Sequence, residues 1–321
     1  MEKEKVLQAM EEAYTAMTPR TDWCLCVPSH LRPDFKLGKL LRKCTPEFLQ
    51  SHVFVFVREE ELAEGKYQKL SPGFNYVAVP PEYNGVGTTR EFINCWGVEH
   101  GKTMLFDWDD DTKNLTFMYA SKDCYGYPST KHSSRDDERR DPLFTQKLLC
   151  YTAYISDYLF TQYPWLRIGN VRRQHFCGDV EVHKTLAHIN KGATPRQTNI
   201  WNLRNYVKGK YLPESSRWHG DDIIIAARVL EEGEGLFSIQ QIGYDFVSEQ
   251  VNSTLRDTDE NSERNRAIHA KEWKDLQQFE IKHYLKVCKA YPDGHYMYGD
   301  VDWRKFYALH PDRKGFSIKV E

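Results

Sequence analysis

Apolar residues fall in short runs early in the chain, with helical spacing between them. The segments "DWCLCVPS" (22–29), "HVFVFV" (52–57), "NYVAVP" (75–80) and "TMLFDW" (103–108) are rich in β-branched and aromatic residues and stop at proline or charged clusters, which predicts strands. Val6, Met10, Ala13 and Met17 recur at the spacing of one helix face, and Leu37, Leu40 and Leu41 mark a second helix. "NGVGTTREFINCWGVEHG" (84–101) reads as a glycine-bearing turn followed by a helix carrying Phe92, Ile93 and Trp96. Strand and helix therefore alternate, the pattern of an α/β fold with a mostly parallel sheet and helices on both faces.

Later the pattern loosens. "LFTQKLLCYTAYISDYLFTQYPWL" (143–166) has helical periodicity, and "RWHGDDIIIAARVLEEGEG" (217–235) reads as a capped helix ending at glycine. "KHSSRDDERRD" (131–141) is a mixed-charge loop. From Asn261 the aromatic anchors Trp273, Phe279, Tyr284, Trp303 and Phe306 predict a helical C-terminal tail. Neither an internal repeat nor a low-complexity linker divides the 321 residues, so one continuous domain is expected.

Composition changes this picture little. At 40% hydrophobic and 28% charged the chain is globular, and a net charge of −2 gives no global basic field. The charged opening "MEKEKVLQAMEEAYTAM" lacks the apolar centre of a signal peptide, and no run reaches bilayer length; a cytoplasmic protein without a membrane partner is expected. Eight scattered cysteines include no CxxC pair, which predicts buried reduced thiols. Cys24 and Cys26 alternate on one face of their strand.

Charge segregation matters more. Asp107, Asp109, Asp110 and Asp111 crowd the end of the fourth strand. A solvated acidic turn is the common reading of such a patch. Carboxylates this close repel one another unless a cation sits among them, and an all-oxygen site suits Mg2+ or Mn2+. A haloacid-dehalogenase motif is excluded, because the position four residues after Asp107 is Asp111 and that after Asp109 is Lys113, where Thr or Val is required. Alternation along "MLFDWDDD" makes Asp109 and Asp111 the expected metal pair, with Asp107 inside the strand as support. Two further polar clusters, "PSHLRP" and "REEE", also end strands, and ligands of parallel sheets gather at that edge. A DxD metal site on an inner strand after a nucleotide-binding half is the plan of a GT-A glycosyltransferase, in which the ion offsets charge on a diphosphate leaving group.

The order "CVPSHLRP", "VFVFVREEE", "YVAVPPEYNGVGTTR", "MLFDWDDD", "WHGDDIIIAARVLEEG" resembles the TET/JBP-associated GT-A glycosyltransferases of bacteriophages and base-J-forming protists, over roughly Trp23 to Gly233. The resemblance implies a metal-dependent enzyme that moves a sugar, arabinose or glucose, from a UDP-sugar to hydroxymethylpyrimidine in DNA; one well-placed base suffices for a single displacement, so inversion is expected. It divides the chain into a nucleotide-sugar half (about 20–115), an acceptor half (116–260) and the tail (261–321). By the same resemblance Pro28, Ser29 and Arg32 line the nucleotide pocket, Glu59 meets the ribose or base, Gly85 and Gly87 allow close approach, and Arg90 reaches the diphosphate. Asp222, with Asp221 as alternate, is the implied general base; this sequence carries Asp221 where related motifs often carry Glu. His269, with His283 behind it, is the implied third metal ligand.

Without the resemblance, each residue has a plainer reading. Glu59 suits a helix N-terminus, Arg90 a surface helical turn, Asp221 or Asp222 an N-cap, and His269 an ordinary helix surface. Nine lysines and arginines between Arg167 and Tyr211 face only Asp179 and Glu181, with Trp201, Tyr206, His175 and His188 among them. This is either a DNA phosphate surface or a basic face packed on acidic neighbours. Two other functions remain open: a glycosyltransferase acting on a glycan or protein, and a non-catalytic nucleotide- or DNA-binding module. Nothing in the sequence signals an oligomeric state.

Overall fold

The computed structural model describes residues 3–83, 85–117, 141–173, 185–192, 194–211, 221–246, 274, 282–283, 285–290 and 296–320. Helix α1 (Lys3–Met17) leads into β1 (Trp23–Ser29), then α2 (Lys36–Leu41), α3 (Pro46–His52) and β2 (Val53–Arg58). Short helices α4 (Glu59–Ala63) and α5 (Lys66–Leu70) connect to β3 (Asn75–Val79), α6 (Val86–Glu99), β4 (Met104–Trp108) and β5 (Thr112–Phe117). There follow α7 (Phe144–Gln162), β6 (Leu166–Arg173), β7 (Thr185–Ile189), β8 (Thr198–Asn202), α8 (Asp221–Glu231) and β9 (Gly235–Phe246). The chain closes with β10 (Leu285–Ala290), β11 (Tyr296–Val301), α9 (Trp303–Leu309) and β12 (Phe316–Lys319).

One ten-stranded sheet runs β12-β7-β9-β6-β8-β4-β1-β2-β3, with β5 pairing β9 beside this path. The block β4-β1-β2-β3 is parallel throughout, as the alternating elements required. β6 and β9 are also parallel, while β8 runs antiparallel between β4 and β6. The α/β class and the four early strands are as read from the sequence.

Alternation sorts the side chains of β1. Trp23, Leu25 and Val27 join a core with α1 and α7, whereas Cys24 and Cys26 face a second core with α6 and α8. The two thiols lie 3.6 Å apart on that face, fully buried. Helices thus cover both sides of the sheet. On the α6/α8 side a polar row crosses six strands in register: Asp107, Asn199, Asn170, Ser238, His188 and Ser317.

The tail departs from its expected form. Its described part holds an antiparallel β10–β11 hairpin, one helix and the edge strand β12 rather than a helical run. "AYPDGHY" (290–296), between the two strands, supplies Pro-Asp-Gly, a turn signal that outweighs the aromatic spacing. Helix appears from Trp303, where Asp302 accepts the Arg304 and Lys305 amides as N-cap.

Candidate functional site

Because β4, β1 and β2 are parallel neighbours, their carboxyl ends open on one edge, and the chain after each carries polar residues. Ser29 ends β1, and its hydroxyl donates to Asp110 Oδ2 at 2.8 Å. Arg32, three residues on, reaches Asp110 Oδ1 at 2.6 Å. Asp110 is buried, and its carbonyl accepts the Leu37 amide at the start of α2 at 3.0 Å. Burial pushes the Asp110 carboxyl upward, against the pull of Arg32 and Ser29.

The acidic turn is anchored from both sides. The Asp109 amide donates to the Gln197 carbonyl at 2.8 Å, and the Thr112 amide to the Asp109 carbonyl at 3.2 Å. Arg90, from the first half of α6, is buried and grips Asp107 Oδ2 at 2.6 Å and Asp109 Oδ1 at 2.5 Å. Asp111 differs. Its Oδ1 is buried and has no hydrogen-bond partner among the described residues. Burial, followed by the charges of Asp109 and Asp110, pushes its carboxyl up to about 7.

The Asp111 oxygen, buried and orphaned among the described residues, is of the hard type that Mg2+ or Mn2+ takes. Among the described residues, no group of three His, Cys, Asp or Glu side chains stands ready to hold a metal. The expected third ligand, His269, lies outside the described residues, and His283 is exposed.

The turn after β1 is fastened by the α4–α5 hairpin. Glu61, buried, accepts the Leu31 amide at 2.6 Å and pairs with His30 Nδ1. Tyr67 OH accepts the Arg32 amide at 3.1 Å and donates to Glu61 at 3.3 Å. Burial opposes the charge on Glu61, yet His30 and the Leu31 amide hold its carboxyl below the ordinary range.

The other expected site residues are distributed as follows. Pro28 is half-buried on β1 next to Ser29. Glu59 is exposed in the first turn of α4, the helix-terminal place its plainer reading assigned; the inward acid of "REEE" is Glu61. Gly87 is buried in the first turn of α6, whose N-cap Gly85 has φ 138, a conformation open to glycine. The Arg90 guanidinium is paired with Asp107 and Asp109. Asp221 opens α8, and its side chain lies outside the described residues. Asp222 is half-exposed; Oδ1 accepts the Ile223 amide at 2.9 Å and Oδ2 lies 3.7 Å from Arg196 Nε. Arg196 and Gln197 are consecutive, so one short segment touches both the acidic turn and Asp222.

Part of the basic segment packs on acidic partners. Arg167 is buried against Glu234 at 2.9 Å and donates to two backbone carbonyls. Arg204 pairs with Asp157 at 3.0 Å and Lys210 with Glu232 at 3.1 Å. Trp201 is fully buried, so it offers no stacking face. His175 and Lys184 lie outside the described residues.

Sequence reasoning missed Asp110, Glu61, Tyr67 and Gln197. Asp110 stands in the cluster, but strand alternation does not extend past Trp108, where the strand ends. A helix beginning at Glu59 turns its third residue inward, a signal available in "REEE".

No protein-family model matches the sequence, and no curated protein matches it. Among solved structures the chain is similar to S. aureus TarS residues 1–349 (10% identity, 82% of this chain and 68% of that one, TM-score 0.40). It is similar also to mannosyl-3-phosphoglycerate synthase from Rubrobacter xylanophilus (12% identity, 91% and 90%, TM-score 0.38) and to a mycobacterial protein (10% identity, 94% and 92%, TM-score 0.41). At this level of identity and overlap, none says what this chain does. No helix among the described residues is long and apolar enough to cross a membrane.

Proposed function

We propose that this chain is a GT-A glycosyltransferase using a nucleotide-sugar donor, with residues 20–115 as its donor half and 116–260 as its acceptor half. The observation that carries this reading is the convergence of Ser29, Arg32 and the acidic turn at one edge of parallel strands, where Asp111 keeps a buried oxygen with no partner among the described residues. Asp109 and Asp111 would hold a Mn2+ or Mg2+ ion, and His269 would complete the set. Such an ion offsets the charge that builds on a diphosphate leaving group. Ser29 and Arg32 line the nucleotide pocket, Arg90 holds Asp109 in place, and the first turn of α6 at Gly87 faces the donor. Asp222 takes the proton from the acceptor hydroxyl as its oxygen attacks the anomeric carbon, and the bond to the diphosphate breaks. A single displacement of this kind inverts the anomeric centre.

The test is nucleotide release from UDP-sugars with and without Mn2+. Release that depends on Mn2+ and falls at least about 100-fold in Asp109→Asn and Asp111→Asn is the expected result. Release that survives both substitutions would remove the metal assignment. The narrower reading is that the acceptor is hydroxymethylpyrimidine in DNA and the sugar arabinose or glucose. It is supported by the motif order from "CVPSHLRP" to "WHGDD", while Arg167, Arg204 and Lys210 of the basic segment are paired with carboxylates and add no support. Incubation with a panel of UDP-sugars and hydroxymethylated DNA, followed by mass spectrometry of the nucleosides, decides it. Transfer indifferent to such DNA would point to a glycan or protein acceptor instead.

A further inference from the structure

Leu31 is the one described leucine with a left-handed backbone, at φ 57. That conformation crowds the Cβ of an L-residue against its own backbone, and glycine or asparagine adopts it at lower cost. Packing does not explain a leucine at this point, because 53% of its surface is exposed. Nor does the turn rest there passively. The Leu31 amide is tied to buried Glu61 at 2.6 Å, the preceding His30 is paired to the same carboxylate, and the following Arg32 amide is tied to Tyr67 at 3.1 Å. Three consecutive residues are thus fastened by side chains of the α4–α5 hairpin, and an apolar side chain is displayed on an otherwise polar rim beside Ser29, Arg32 and Asp110. Strain kept in place by several independent bonds marks a functional position more often than a packing accident.

We infer that Leu31 is a binding residue of the donor site that packs against the flat face of the donor's base, and that Glu61 is the positioning residue that holds it there. The inference rests on the nucleotide-sugar reading above. A base offers an apolar face and a polar edge. Leu31 matches the apolar face. The acid that matters after β2 is then Glu61, acting through the backbone, and not Glu59, which points to solvent in the first turn of α4.

The experiment compares wild type, Leu31→Gly, Leu31→Asn and Glu61→Gln by calorimetric titration with UDP and with inorganic pyrophosphate, both with Mn2+. Leu31→Gly and Leu31→Asn relieve the backbone, so their melting temperatures should equal or exceed that of wild type. Their affinity for UDP should fall about tenfold, the loss of one apolar contact, while pyrophosphate, which has no base, should bind as before. Glu61→Gln should weaken UDP as well, and the double variant Leu31→Gly with Glu61→Gln should lose less than the two factors multiplied, since a glycine needs less holding. Unchanged UDP affinity in Leu31→Gly overturns the inference while the donor reading stands. An equal loss for pyrophosphate also overturns it, since the contact would not be to the base. Failure of wild type to bind UDP at all overturns the donor reading and this inference together.

Discussion

Two stretches of this chain carry conspicuous charge, and folding treats them in opposite ways. Among the described cations between Arg167 and Tyr211, Arg167 is matched with Glu234, Arg204 with Asp157 and Lys210 with Glu232, so part of a concentrated positive charge becomes internal ion pairs. At the acidic turn, Asp107 and Asp109 are matched by Arg90 and Asp110 by Arg32, yet the Asp111 oxygen stays buried without a partner among the described residues. In sequence the two stretches look equally purposeful. What separates them is electrostatic completion: a charge cluster whose members find partners is architecture, and one left incomplete is waiting for something.

The sharpest way to break this contrast is to remove the cation on which the acidic side depends. Arg90→Leu leaves Asp107 wholly buried without the guanidinium, and the loss of a buried partner of this kind costs about 3–5 kcal/mol. Denaturant unfolding should show it, and donor turnover should fall with it, because Asp109 loses its tether. Retained stability would mean that the acidic turn does not need Arg90 and that its charges are relieved elsewhere.

The next largest effect concerns Asp111. Its carboxyl rises from 3.8 to about 7 in the folded chain, so the folded state holds the proton more tightly than the unfolded one. Stability from this group is therefore full below about pH 4 and is lost as pH climbs toward 7. Asp111→Asn removes that loss: without metal the variant should exceed wild type by on the order of 2 kcal/mol at pH 8 and by nothing near pH 4. Mn2+ should stabilise wild type and leave the variant nearly unmoved. Equal stability at both pH values would show that Asp111 is already compensated. A related gain of about 1 kcal/mol is expected from Asn199→Leu, because both polar atoms of that buried amide lack hydrogen-bond partners among the described residues.

How far the sequence revealed all this depends on whether the deciding contact was local. β1 to β4 and α6 follow from side-chain periods of two and 3.6, which need only neighbours in the chain. Gathering three strand-end clusters at one edge follows from their parallel order. That Asp110 turns to Ser29 and Arg32 while Asp111 keeps an unpartnered oxygen among the described residues has no periodic trace, because the turn after Trp108 abolishes the alternation of the strand. Arg90 as the partner of Asp107 is a helix-to-strand contact with no periodic trace. The polar row from Asp107 to Ser317 joins six strands that are distant in sequence, and only the sheet order makes it a row. In the tail the missing step was chemical, since Pro-Asp-Gly ahead of "HYMYGDV" marks a hairpin that aromatic spacing obscured.

The smallest effects lie on the basic side, and they sharpen the comparison most directly. Lys210 is half-buried between Glu232 and Glu234, at 3.1 and 3.7 Å, whereas the exposed Lys208 lies over the Tyr83 ring. Lys210→Gln should cost under about 1 kcal/mol of stability, as for other partly exposed ion pairs. If duplex DNA binds this face, the two lysines should diverge. A cation already neutralised by carboxylates releases no counterion from DNA, while one free to meet a phosphate contributes about 0.9 to the slope of log affinity against log salt. Lys208→Gln should therefore flatten that slope by about one, and Lys210→Gln should leave it alone. The reverse order, with Lys210 carrying the salt dependence, would mean that the internal pairs open to receive DNA and that the basic segment is no more complete than the acidic turn.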